Sequence, residues 1–168
     1  MTDAFDRRHV LGLAAAVGLA GPAPAALAAV QPNTARNNTM TQVTFTKTEP
    51  PAWLLAFWRE IDEKTWGAGF NCFAEDAVCN LGVADWHGRD GIRENLRKFI
   101  DSGFTAHHDV LEYWDSPALK VFRGKVTMTP DNGSPAVHPT MTHFFYMDER
   151  DPSKVRQWCG AVGPVSFG

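Results

Sequence analysis

The stretch over residues 68–100 constrains this chain more than any other. It reads AGFNCFAEDAVCNL at 68–81, then DWHG at 85–88, then RDGIRENLRKFI at 89–100. The spacing predicts a short helix ending near Phe73, a sharp turn at Ala74-Glu75-Asp76 and an apolar strand over 77–81. A glycine-bearing loop follows, and then a second amphipathic helix. So tight an alternation of helix, strand and helix must fold against a larger surface, because neither helix can bury its apolar face alone.

The flanking sequence supplies that surface. Upstream, Trp53, Leu54, Phe57, Trp58, Ile61 and Trp66 recur at helical spacing behind Pro50 and Pro51. Arg59, Glu60, Asp62, Glu63 and Lys64 are read as the opposite, solvated side, and Gly67 and Gly69 as loosening the chain. The helix over 90–101 buries Ile92, Leu96, Phe99 and Ile100, with Gly103 just past its end. From Phe104 onward the pattern turns to strands over 105–114, 119–129, 137–147 and 155–165, separated by turns rich in Pro, Asp, Asn and Gly. Helices first and then a meander predict an α+β fold, a cone in which a curved antiparallel sheet wraps around N-terminal helices. One domain over 51–168 accounts for the whole pattern.

Residues 1–28 carry Arg7-Arg8 ahead of an apolar run, breaks at Pro22 and Pro24, and a small-residue cleavage site at Ala26-Leu27-Ala28. They are read as a twin-arginine-type signal peptide, so export to the periplasm or medium is expected. A start at Met40 would instead leave the protein in the cytoplasm. Residues 29–50 are polar and aperiodic and read as a flexible linker, with order beginning at Pro50. The net charge of −3 is unchanged without the first 28 residues, which hold two Asp and two Arg. No basic stripe survives, which argues against nucleic acid and against a membrane surface as partners. Cys72, Cys79 and Cys159 are an odd set without C-x-x-C spacing. Buried inert thiols are expected, with a Cys72–Cys79 bridge as the alternative.

The order FAEDAV (73–78), about a dozen residues, then GRDGIR (88–93) resembles the NTF2-like superfamily and its SnoaL-like cyclases, ketosteroid isomerases and scytalone dehydratase. The resemblance spans roughly 53–167 and implies a cavity between the concave sheet and the helices. An ungapped comparison with ketosteroid isomerases places the base and oxyanion-hole positions on Leu81, Phe57 and Thr142. None of these removes a proton, so that machinery is not expected. The same comparison turns the face of His138, Thr140, Thr142, Phe144 and Tyr146 into the cavity. Met141, His143, Phe145 and Met147 then face outward, against a second subunit of a homodimer.

Proton-transfer candidates are histidines. Scytalone dehydratase carries a pocket histidine near the start of the equivalent strand, which implies His108 or His107 here. Strand alternation lets only one enter, and His108, on the face of Val110 and Trp114, is preferred. Asp85 and His87 form a second constellation in the 85–88 loop. A loop-capping Asp and a surface His account for the same letters. Asn80, Thr142 and Tyr146 are expected to orient a carbonyl or hydroxyl, and Trp58, Phe144 and Trp158 to pack on the substrate. No metal-binding, phosphate-binding or nucleophile-elbow motif is present, so neither metal nor cofactor is expected. The resemblance implies acid–base chemistry (cyclisation, dehydration or isomerisation) on a small, largely apolar molecule. The alternative is a non-catalytic protein that binds such a molecule.

Overall fold

A computed structural model of the chain describes residues 43–82 and 84–163. The expected signal peptide over 1–28 and most of the expected linker over 29–50 lie outside the described residues. The chain runs β1 (Thr46–Thr48), α1 (Ala52–Asp62), a 3-10 turn (Ala68–Cys72), β2 (Phe73–Asn80), β3 (Asp85–His87), α2 (Arg89–Ile100), β4 (Phe104–Asp115), β5 (Leu119–Pro130), β6 (Thr140–Met147) and β7 (Val155–Val162). The seven strands form one curved, unclosed sheet in the order β1-β4-β5-β6-β7-β2-β3. The α+β architecture is as the sequence predicts.

Local chemistry explains the helix ends. Pro51 caps α1 with extended backbone, and its carbonyl accepts from the amide of Leu54 at 3.0 Å. Proline fits there because the first amides of a helix have no partner within it. Gly88, at φ 74°, starts α2, and Asp90 stands in the first turn with Arg97 and Lys98 in the last, complementing the helix dipole. Gly67 and Gly69 do not loosen the chain. Their amides donate to the carboxylate of Glu60, which also accepts from Thr65 Oγ1 at 2.7 Å. A side chain at Gly69 would overlap the backbone of Ala56, so glycine lets this turn close against α1. Burial opposes the charge on Glu60, but these three hydrogen bonds together hold its carboxyl below the usual range.

Four boundaries and one strand pairing differ from the sequence reading. The linker contains β1, whose Thr46, Lys47 and Thr48 pair with Asp115, Trp114 and Tyr113 of β4, so order starts before Pro50. The turn expected at 74–76 is already strand β2, irregular between Phe73 and Val78 where it pairs with β7. The 85–88 loop holds the edge strand β3, paired with β2. Strand β6 begins at Thr140, and Val137 contributes one isolated bridge to Met128. Finally, the sheet is mixed. β4 to β7 form the antiparallel meander, but β2 lies parallel to β7.

The inner face of the sheet is packed with aromatic rings. Phe57, fully buried on α1, meets Trp58, Phe70, Phe73, Phe145 and Trp158 with ring centroids 4.8–6.5 Å apart. Most of these pairs are edge-on, the favoured aromatic geometry. Ile92, Leu96 and Ile100 seat α2 in the same core.

Candidate active site

Of the paired histidines on β4, His107 has 68% of its side chain exposed and His108 only 7%. His108 is the one that enters the interior. It shares its face with Ala106 and Val110, as alternation requires. A register shift between Val110 and Glu112 then reverses the parity, so Tyr113 is buried and not Trp114.

Asp62, the last residue of α1, stands one turn below Trp58 on the same stripe of the helix. Its Oδ2 accepts the backbone N–H of His108 at 3.0 Å, and its Oδ1 lies 2.5 Å from His108 Nδ1. An ionised carboxylate only accepts, so Nδ1 carries the hydrogen and the neutral ring keeps its lone pair on Nε2. The indole of Trp58 stacks on the imidazole with centroids 4.3 Å apart and planes inclined by 23°. The sequence reading missed Asp62 by placing it on the solvated side of the helix. The signal was its i+4 spacing from Trp58.

The second residue missed is His143. It is 3% exposed and lies within the core. Trp158 Nε1–H donates to its Nδ1 at 3.1 Å, so His143 carries its hydrogen on Nε2. Phe122, opposite it on β5, stacks on the ring at 5.7 Å and 9°. Gly160 faces it on β7, where a Cβ would overlap Nδ1, so glycine makes room for the ring. Burial, with the neighbouring His108 as a smaller cause, pushes the His143 pKa down to about 3. Trp58 touches both histidines, its ring centroid lying 5.2 Å from that of His143.

The face assignment on β6 is therefore reversed. Met141, His143, Phe145 and Met147 are buried inward, while Thr140, Thr142, Phe144 and Tyr146 point to the outer side. Thr142, Phe144 and Tyr146 do not join His108, and the Met/Phe face is core and not a subunit contact. Trp58 and Trp158 do lie inside, 4% and 1% exposed. Asn80, Asp85 and His87 are on the exposed β2–β3 hairpin, where Asn80 Nδ2 donates to Asp85 Oδ1 at 2.6 Å and Asn80 Oδ1 accepts from Gly82 N at 2.9 Å. Those contacts close the hairpin, and no hydrogen bond or ion pair joins Asp85 to His87.

The thiols take no part. Cys72, Cys79 and Cys159 are free, and burial pushes Cys72 up to about 12 and Cys79 higher still. Among the described residues no group of three side chains is arranged to hold a metal ion. Nor is any helix of theirs long and apolar enough to cross a membrane. Two grooves, of about 400 Å³ beside Trp53, Tyr113 and Lys120 and about 510 Å³ beside Asp76, Arg89 and Arg150, open away from the histidines. The second is held by Arg150, which donates to Asp148 and Asp76 at 2.9 and 3.0 Å.

No model of a known protein family matches the sequence, and no curated protein matches it. Solved structures match the fold. A hypothetical protein with a ketosteroid isomerase-like fold from Catenulispora acidiphila, solved with trimethylamine, superposes with a TM-score of 0.57 at 12% identity, over 66% of this chain and 84% of its own. An epoxide hydrolase of the LEH-like type from Mycobacterium tuberculosis gives 0.54 at 14% identity, over 66% and 79%. A candidate SnoaL-like polyketide cyclase from Shewanella denitrificans gives 0.54 at 12% identity, over 66% and 87%. With two helices on a curved seven-stranded sheet, the chain has the NTF2-like fold that these proteins share.

Proposed function

We propose that the chain is an enzyme of the NTF2-like fold that performs cofactor-independent acid–base chemistry on a small, largely apolar molecule. The observation that carries this reading is the Asp62–His108 pair beneath Trp58. A carboxylate on Nδ1 orients the ring and stabilises the imidazolium that forms when Nε2 takes a proton. His143 is held in the opposite tautomer, with a hydrogen to donate. One ring offers a lone pair and the other an N–H, which is the combination that cyclisation, dehydration and isomerisation all require.

The test needs no natural substrate. Proton exchange at the carbon beside the carbonyl is followed in heavy water for a panel of small ketones. The wild-type chain should accelerate at least one of them, and His108→Ala should reduce that rate by roughly 10²-fold or more, read below the thermal transition of the variant, where it is still folded. A panel exchanging equally fast with both proteins rejects the reading.

One observation favours the second reading, a non-catalytic binder of a small apolar molecule: the position that the comparison with ketosteroid isomerases gives to the base is Leu81, which cannot take a proton. Saturable ligand binding without exchange would select it. Homodimer formation through the outer sheet face belongs to the same proposal, because Trp114, Val121, Phe144 and Cys159 form a continuous partly exposed row there. Phe144→Asp should then shift sedimentation to that of a monomer. Export through residues 1–28 is proposed on their motif alone, and loss of secretion on Arg7→Lys with Arg8→Lys is its check.

A further inference from the structure

Two ring N–H groups in the interior have no acceptor among the described residues, Nε2 of His143 and Nε1 of Trp58. A buried donor left unpaired bears the full cost of losing water, so each such group calls for an explanation. For His143 the direction is fixed by its neighbours. Trp158 occupies Nδ1, and Gly160 stands against the Nδ1–Cε1 edge, so that edge is turned towards β7. Nε2 is at the end of the ring remote from the β6 backbone and so points off the sheet, into the layer that holds Trp58. The two rings are 5.2 Å apart, centre to centre.

We infer that His143 and Trp58 form a donor site for the carbonyl oxygen of a small, flat, apolar ligand. The inference rests on the proposed reading that the cone interior is the working site, and it adds the ligand class. A neutral oxygen suits the site better than a carboxylate. Burial keeps His143 neutral, and a buried anion would need a cation to balance it. Flat apolar walls are at hand, since Phe122 lies parallel to His143 at 9° and Phe145 parallel to Trp158 at 7°. A ligand reaches the donors by displacing part of this aromatic packing, which favours small molecules over large ones.

The test uses acetophenone and α-methylstyrene, which differ by a carbonyl oxygen against a CH₂ group in nearly the same shape. Binding to the full chain is followed by tryptophan fluorescence, and the His143 Nε2–H by NMR of histidine-labelled protein. The site predicts acetophenone binding about tenfold more tightly and a downfield shift of the Nε2–H signal. His143→Phe should bring the two affinities together while leaving that of α-methylstyrene in place. If that variant fails to fold, Trp58→Phe must still narrow the preference. Equal binding of both probes to the wild type overturns the inference, as does a preference that survives both substitutions. So does an Nε2–H bonded only to an ordered water that saturating acetophenone leaves unmoved. The two proposals fail separately. Oxygen-dependent binding without exchange removes catalysis and keeps the donor site, whereas His108-dependent exchange without oxygen preference does the reverse.

Discussion

His108 and His143 are the same residue against the same tryptophan, and their neighbours give them opposite tasks. His108 sits at the join of α1 and β4, where the end of a helix can present a carboxylate. His143 sits in the middle of β6, where the neighbouring strand can present only the indole N–H of Trp158 and the bare backbone of Gly160. The first ring is steered to keep a lone pair on Nε2, and the second to keep a hydrogen there. Position in the sheet therefore decides the chemistry, because it decides which atom reaches Nδ1.

Removing the tryptophan that both rings share is the harshest way to break this comparison. Trp58→Ala should cost about 3–5 kcal/mol of stability, the range for truncating a buried aromatic, as read from urea unfolding. Trp58→Phe keeps most of the packing and should cost clearly less.

The acid side sharpens the contrast. The His143 pKa is lowered from 6.5 to about 3, so between these values the unfolded chain binds a proton that the folded chain does not. Stability is complete above 6.5 and falls as pH drops through that window, by up to about 1.4 kcal/mol per pH unit. Urea unfolding at several pH values checks the slope, and His143→Phe should flatten it. Asp148 acts further down. Hydrogen bonding from Arg150, chiefly through its side chain, holds its carboxyl at about 2 against the usual 3.8, so its contribution disappears as pH falls through that lower range.

Asp62→Asn leaves His143 alone and acts on His108, and on the exposed His107, whose Nδ1 lies 3.4 Å from Asp62 Oδ2. It frees His108 to adopt either tautomer, and it should cost roughly 1–3 kcal/mol of stability through a weakened buried pair. The pH slope attributed to His143 should survive, which urea unfolding of the variant would show. The smallest effect belongs to His87→Ala. That side chain is on the exposed hairpin, so stability should change by no more than about 0.5 kcal/mol, measured the same way.

Much of the fold was legible because periodicity reports burial directly. The α1 stripe of Trp53, Phe57, Trp58 and Ile61, the α2 residues Ile92, Leu96 and Ile100 and the meander all stand in the structure, whereas Phe99, expected in the same stripe, is exposed. What escaped the sequence was pairing. The parallel partnership of β2 and β7 joins strands some eighty residues apart, and nothing local encodes it. The reversal of β6 has a plainer cause. An ungapped comparison assigned its faces, whereas Met141, Phe145 and Met147 already marked the core by hydrophobicity alone. Register shifts between Val110 and Glu112, and again between Tyr146 and Met147, show how such a comparison loses its frame. Asp62 was missed because a charged residue at a helix end normally meets water. Here α1 ends against β4, and the carboxylate meets the backbone and ring of His108.

The most direct test of the account is the tautomer of each ring, because both proposed roles depend on it. Long-range proton–nitrogen correlation spectra of the histidine-labelled full chain, recorded at mildly alkaline pH, report it without any substrate. The account predicts the hydrogen on Nδ1 in His108 and on Nε2 in His143. It also predicts that Asp62→Asn disturbs only the first. The same tautomer in both rings, or a His143 that titrates near neutral pH, would contradict the division of labour on which the proposed chemistry rests.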